Sequence, residues 1–197
     1  MTEDNVKINV ETETSKPRRF VFVLLNEFTL LCFSAALESL RIANRLAGKE
    51  LYSWTLVGEG GETVSCSAGT EFKLDTDLGE LQRDDTVLLC GGMNIQFATT
   101  KKLLNWLRRE ARRGLVIGGL CTASYSLAKA GMLDGKLATI HWENQDSFLE
   151  EFDEVELTKS VFVVDGNRLT TAGGTSSIDL MLKLIADEHG EELANAV

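Results

Sequence analysis

From Arg19 onward, short runs of consecutive apolar residues alternate with longer segments of helical period. That alternation constrains the fold more than any other feature. An apolar run without polar alternates suits a strand covered on both faces, and such a strand needs helices above and below its sheet. Phe20 to Leu25, Thr86 to Cys90 and Leu115 to Gly118 are runs of this kind. Between them, Phe33, Ala36, Leu37, Leu40, Ala43, Asn44 and Ala47 keep a helical stripe that Gly48 ends, and Trp54 to Val57 reads as a further strand. Gly58 to Leu81 is rich in Gly, Thr and Asp and predicts short antiparallel pieces. A helix from about Thr99 to Arg113 turns Leu103, Leu104, Leu107 and Ala111 to one side, and another begins at Cys121 and runs to Ala130. Leu137 to Ile140 is strand-like, Glu143 to Phe152 an acidic helix, and Val161 to Val164 a strand that turns at Asp165-Gly166 and pairs back through Leu169 to Thr171. A last helix opens at Ser176-Ser177 with Ile178, Met181, Leu182 and Ile185 inward. The expected class is α/β: a doubly wound, mostly parallel sheet with helices on both faces.

With 197 residues, 44% of them hydrophobic, the chain can bury a core without disulfides or metal. Residues 1–18 read as a polar, mobile leader with no signal-peptide pattern, and residues 19–197 as one domain. The run from Phe20 to Leu25 is far short of the ~20 residues of a membrane span, so no membrane association is expected. A net charge of −10 repels phosphate backbones, which directs attention to small molecules and protein partners. Cys32, Cys66, Cys90 and Cys121 are widely spaced and the chain holds only 2 histidines, so neither a metal site nor a cofactor is predicted and a reducing cytoplasm fits.

Leu115 to Ser124 carries the richest chemistry. A nucleophile elbow needs small residues beside its nucleophile because strand and helix backbones approach closely there, and Gly119-Leu120-Cys121-Thr122-Ala123 supplies that spacing with sulfur. At a helix start the unsatisfied N–H groups favour thiolate. His141, beside Trp142, is the candidate base for Cys121; His189, next to Gly190 at a helix end, reads as a C-terminal cap. The Gly91-Gly92 turn offers backbone N–H groups to an anion or a carboxylate.

Cys90-Gly91-Gly92, Gly119-Leu120-Cys121-Thr122, Ala138-Thr139-Ile140-His141-Trp142 and Thr171-Ala172-Gly173-Gly174 through Ile178-Asp179-Leu180 together resemble the class I glutamine amidotransferase-like superfamily. More narrowly, they are similar to the PfpI-type domain of GlxA-type regulators in the AraC family. The resemblance implies a flavodoxin-like fold and a cytoplasmic, homodimeric domain that senses an amino-acid-like or quaternary-ammonium effector to control transcription. It also implies DNA contact only through a C-terminal helix-turn-helix domain, for which 197 residues leave no room. Gly91, Gly92, Cys121, Thr122, His141, Trp142 and Glu143 are the expected ligand-binding residues. Enzymes of the PfpI-like branch place an acidic residue near the cysteine, at the start of the first helix; the matching position here is Cys32. This tilts the expectation from enzyme to sensor, with a cysteine hydrolase or hydratase using Cys121 and His141 as the alternative.

Two charge runs are candidate docking surfaces: a basic one of Lys101, Lys102, Arg108, Arg109, Arg112 and Arg113, and an acidic one from Glu143 to Glu156. A solvated face of an amphipathic helix is the commoner explanation of the basic run, and the acidic one could meet the basic helix of a second subunit.

Overall fold

A computed structural model describes residues 16–197, so most of the predicted leader lies outside the described residues. Strand β1 (Arg18–Leu24) leads into α1 (Leu30–Ala47), then β2 (Tyr52–Val57), a small hairpin of β3 (Thr63–Ser65) and β4 (Glu71–Lys73), and β5 (Thr86–Cys90). The short α2 (Ile95–Ala98) and the longer α3 (Lys101–Arg112) precede β6 (Val116–Leu120). A single turn of 3-10 helix at Cys121–Ala123 passes into α4 (Ser124–Lys129), followed by β7 (Leu137–Ala138), α5 (Gln145–Glu151) and β8 (Glu156–Leu157). The chain closes with β9 (Phe162–Asp165), β10 (Arg168–Thr171), α6 (Ser176–His189) and α7 (Glu191–Ala196).

The main sheet has the order β2-β1-β5-β6-β10-β9. Every neighbouring pair is parallel except β10 with β9, the hairpin that the Asp165-Gly166 turn predicts. β1 shows why its run is continuously apolar: Phe20, Phe22 and Leu24 enter one core layer, which α1, α6 and α7 cover, while Val21 and Val23 enter the other, which α3, α4 and α5 cover. The flavodoxin-like, doubly wound class is therefore observed.

Polar groups fix the elements to one another. Asn44, placed by period on the apolar stripe of α1, accepts from the N–H groups of Leu51 and Tyr52 (both 2.9 Å) and donates to Tyr52 O at 2.8 Å, which ties α1 to the start of β2. Much of the basic face of α3 is engaged by its own fold. Arg108 donates to the carbonyls of Lys129 and Ala130 at the C-terminal end of α4, Lys102 pairs with Asp77 at 2.8 Å, and Arg109 and Arg113 clamp the fully buried Glu110 at 2.7 and 2.6 Å. Those charges therefore serve internal contacts before any docking role. In the last turn of α6 the His189 ring stands edge-on to Tyr52, and burial, with the Lys49 charge, lowers its pKa. It packs against Tyr52 at the end of the helix that it was expected to cap.

Candidate functional site

The site is built from loops at the carboxyl ends of the parallel strands, where open α/β sheets bind ligands. β6 ends at Leu120, and the next residue, Cys121, takes a left-handed φ of 62°. A side chain is strained there, and the geometry persists because its surroundings hold it. The Cys121 N–H donates to Thr171 Oγ1 (3.2 Å), and Thr122 Oγ1 donates to Gly92 O (2.8 Å). Gly119 is small by necessity, since a Cβ would stand 2.7 Å from Ser124 N. These contacts define the elbow that the Gly-x-Cys-x-Ala spacing predicts.

Around the sulfur, Thr29 Oγ1 lies 3.7 Å away at the N-terminus of α1, and the Cys32 thiol follows one turn later. The Cys121 thiol is held well below the ordinary thiol range. Hydrogen bonding from Cys32 is the largest cause; against the opposing cost of burial, Thr29, the charge of His141 and the Thr122 N–H add to it. The same partnership pushes the Cys32 thiol up, and burial does so for Cys90. All 4 cysteines are free and buried.

The cavity beside Cys121 has a volume of about 330 Å³. Of the predicted residues, Gly92, Cys121, Thr122, His141 and Glu143 line it together. His141 reaches it because Ser124 Oγ donates to Thr139 O (2.8 Å) and the Thr139 N–H donates to Thr170 Oγ1 (2.9 Å), which fixes the segment leading to the imidazole. Glu143 Oε2 stands 3.6 Å from His141 Nδ1. Two predicted residues stand apart from the lining. Gly91 is a packing residue: its N–H donates to Leu120 O, its carbonyl accepts from the Thr29 N–H, and a Cβ would stand 2.5 Å from Ala123 N. Trp142 is 69% exposed, with its ring tilted against His141 at 5.8 Å, so it stands outside the imidazole.

Sequence reasoning missed Thr29, Met93, Asn94, Ile95, Gln96 and Asn144 as cavity residues. Asn94 had a usable signal. It follows Gly91-Gly92 and takes a left-handed φ of 53°, a conformation that asparagine tolerates, while its amide donates to Glu27 Oε2 at 2.7 Å.

A parallel sheet that delivers a strained cysteine to a helix start, with a histidine on the same cavity, defines the class as an elbow-bearing, flavodoxin-like α/β protein. The chain belongs to the DJ-1/PfpI family, whose model matches residues 18–187. Its curated relatives include the HTH-type transcriptional regulator GbdR of Pseudomonas aeruginosa, 39% identical over 188 residues, which are 95% of this chain and 51% of that protein. The HTH-type transcriptional regulator CdhR of the same species is 43% identical over 175 residues, covering 89% and 52% respectively. The chain thus spans about half the length of these relatives. The crystal structure of an AraC family transcriptional regulator from Pseudomonas putida superimposes with a TM-score of 0.78 at 29% identity, covering 91% of this chain and 96% of that one.

Proposed function

We propose that this chain is the effector-sensing domain of a helix-turn-helix transcriptional regulator of the AraC, GlxA-type class. In this reading it binds a small amino-acid-like or quaternary-ammonium metabolite in the Cys121 cavity. The observation that carries it is the identity of the thiol's inner neighbour: Cys32, fully buried, is the largest influence that holds the Cys121 thiol down. A carboxylate there could exchange protons through a catalytic cycle, whereas a thiol whose own ionisation is suppressed is poorly suited to that task. The cavity favours a cation, because a thiolate and the Glu143 carboxylate both border it. The regulators GbdR and CdhR support the assignment to transcription. DNA contact belongs to a separate helix-turn-helix domain, and the working form is a cytoplasmic homodimer. Among the described residues no helix is long and apolar enough to cross a membrane.

Titration calorimetry with arginine, carnitine, glycine betaine and neutral amino acids tests the reading. Saturable binding of a cationic or zwitterionic ammonium compound, weakened about fivefold by Glu143→Gln (about 1 kcal/mol for a partly exposed charge), is expected. Binding of 3,3-dimethylbutanoate, which keeps the shape of glycine betaine without its ammonium charge, as tightly as glycine betaine itself overturns it. A cysteine hydrolase or hydratase is the second reading, favoured by the lowered Cys121 thiol pKa and the nearby His141. Turnover of a compound that is abolished by Cys121→Ser would establish that reading.

A further inference from the structure

The two thiols at the elbow differ in every property that governs their reactivity. Cys121 faces the open cavity and is the more acidic of the pair. Cys32 has no exposure at all and lies behind it. Thr29 and Cys32 are three residues apart at the start of α1, a spacing that puts both on one helix face, and Thr29 Oγ1 reaches Cys121 Sγ at 3.7 Å. Both sulfurs also rest against consecutive units of one loop. Cys32 Sγ donates to Gly174 O at 3.5 Å, and Cys121 Sγ lies 3.0 Å from where a Cβ on Gly173 would stand. A cavity-lining acidic thiol backed by a fully buried, protonated one is the arrangement of an attacking and a resolving cysteine.

We propose that Cys121 and Cys32 form a dithiol modification site, which a hydroperoxide entering the cavity converts through a Cys121 sulfenic acid into an intramolecular disulfide. In the first step Cys121 Sγ attacks one peroxide oxygen. The S–O bond forms, the O–O bond breaks, and the sulfur loses the two electrons that the peroxide gains. The departing alkoxide or hydroxide takes a proton from water. In the second step Cys32 Sγ attacks Cys121 Sγ. The S–S bond forms, the S–O bond breaks, and the released hydroxide leaves as water with the proton of Cys32. An external dithiol reverses the change by exchange. Two further cysteines share this core layer, Cys66 and Cys90; Cys90, fully buried at the end of β5, serves as the internal control. The inference does not rest on what the cavity binds or on the regulatory role.

The test treats the native chain with hydrogen peroxide, blocks the remaining thiols and maps the peptides by mass spectrometry. A Cys32–Cys121 crosslink, with the intact mass lowered by two hydrogen atoms and restored by dithiothreitol, is the expected result. Cys32→Ser should abolish the crosslink and let dimedone trap the Cys121 sulfenic acid, while Cys90→Ser should leave the crosslink unchanged. Overoxidation of Cys121 to sulfinic acid in the native chain without a crosslink overturns the proposal, and so does a crosslink that runs to Cys90. The native-chain map decides the question even if Cys32→Ser fails to fold.

Discussion

Cys121 combines a strained backbone with a stabilised anion, and both properties are measurable. The rate of its alkylation by iodoacetamide should rise with an inflection well below the ~8.5 of a free thiol, because Cys32, Thr29, His141 and the Thr122 N–H favour the thiolate. A lowered folded-state pKa means that the folded chain binds fewer protons. The stability it confers is fully present above the ordinary thiol pKa and disappears as pH falls through the lower folded value, which urea melts across that window would follow. Cys32→Ser should move the inflection upward, provided the variant folds; an unchanged inflection would remove the thiol partnership from the account. Gly173 gives a second residue-scale prediction. Its φ is +90°, and a Cβ would stand 2.6 Å from His141 Cδ2 and 3.0 Å from Cys121 Sγ. Gly173→Ala should cost about 1–3 kcal/mol of stability and change the alkylation rate, read from thermal melts and thiol kinetics. At this scale the sequence made much of the site legible. Cys121 stood between small residues after an apolar run, and His141 followed a strand-like segment. Trp142 and Gly91 were less legible, because nothing in the neighbouring residues signals that the Trp142 ring lies outside His141 or that the Gly91 N–H goes across to Leu120 O at the end of β6.

Elements that bury their side chains on two faces announce themselves, and those defined by polar contacts do not. β1 and β5 were plain from uninterrupted apolar runs, and α1 from its period, whereas α2, with 4 residues, is too short to display one. Asn44 counted as a member of the apolar stripe although its role is to satisfy three backbone groups across the α1–β2 connection. Asn44→Leu keeps the apolar stripe but strands those groups, and should destabilise the chain by about 2–4 kcal/mol in chemical denaturation. A neutral outcome would mean that water replaces the amide. In α3, Glu110 holds two half-exposed arginines while fully buried itself. Glu110→Ala should cost about 1–3 kcal/mol, less than losing a wholly buried pair, since both arginines can turn to solvent.

At the scale of the molecule, the −10 charge and the internal commitments of α3 make the same prediction. This chain alone should not bind random duplex DNA at physiological salt in fluorescence anisotropy, because too few free cations are clustered to release counterions. Salt-sensitive binding would show that the basic face of α3 is a phosphate surface after all. The sheet itself was readable as a class from the alternation of elements, but its strand order, with β5 inserted between β1 and β6, follows from which faces each crossover covers and is not encoded in any local run. The cavity that this order creates draws its lining from separate connections, after β1 (Thr29), β5 (Gly92 to Gln96), β6 (Cys121, Thr122) and β7 (His141, Glu143, Asn144). None of those cavity residues belongs to a strand of the sheet. Substitutions accumulating in those connections can therefore retune which guest is accepted while the strands of the sheet are left alone, so closely similar scaffolds can diverge in preference one loop at a time.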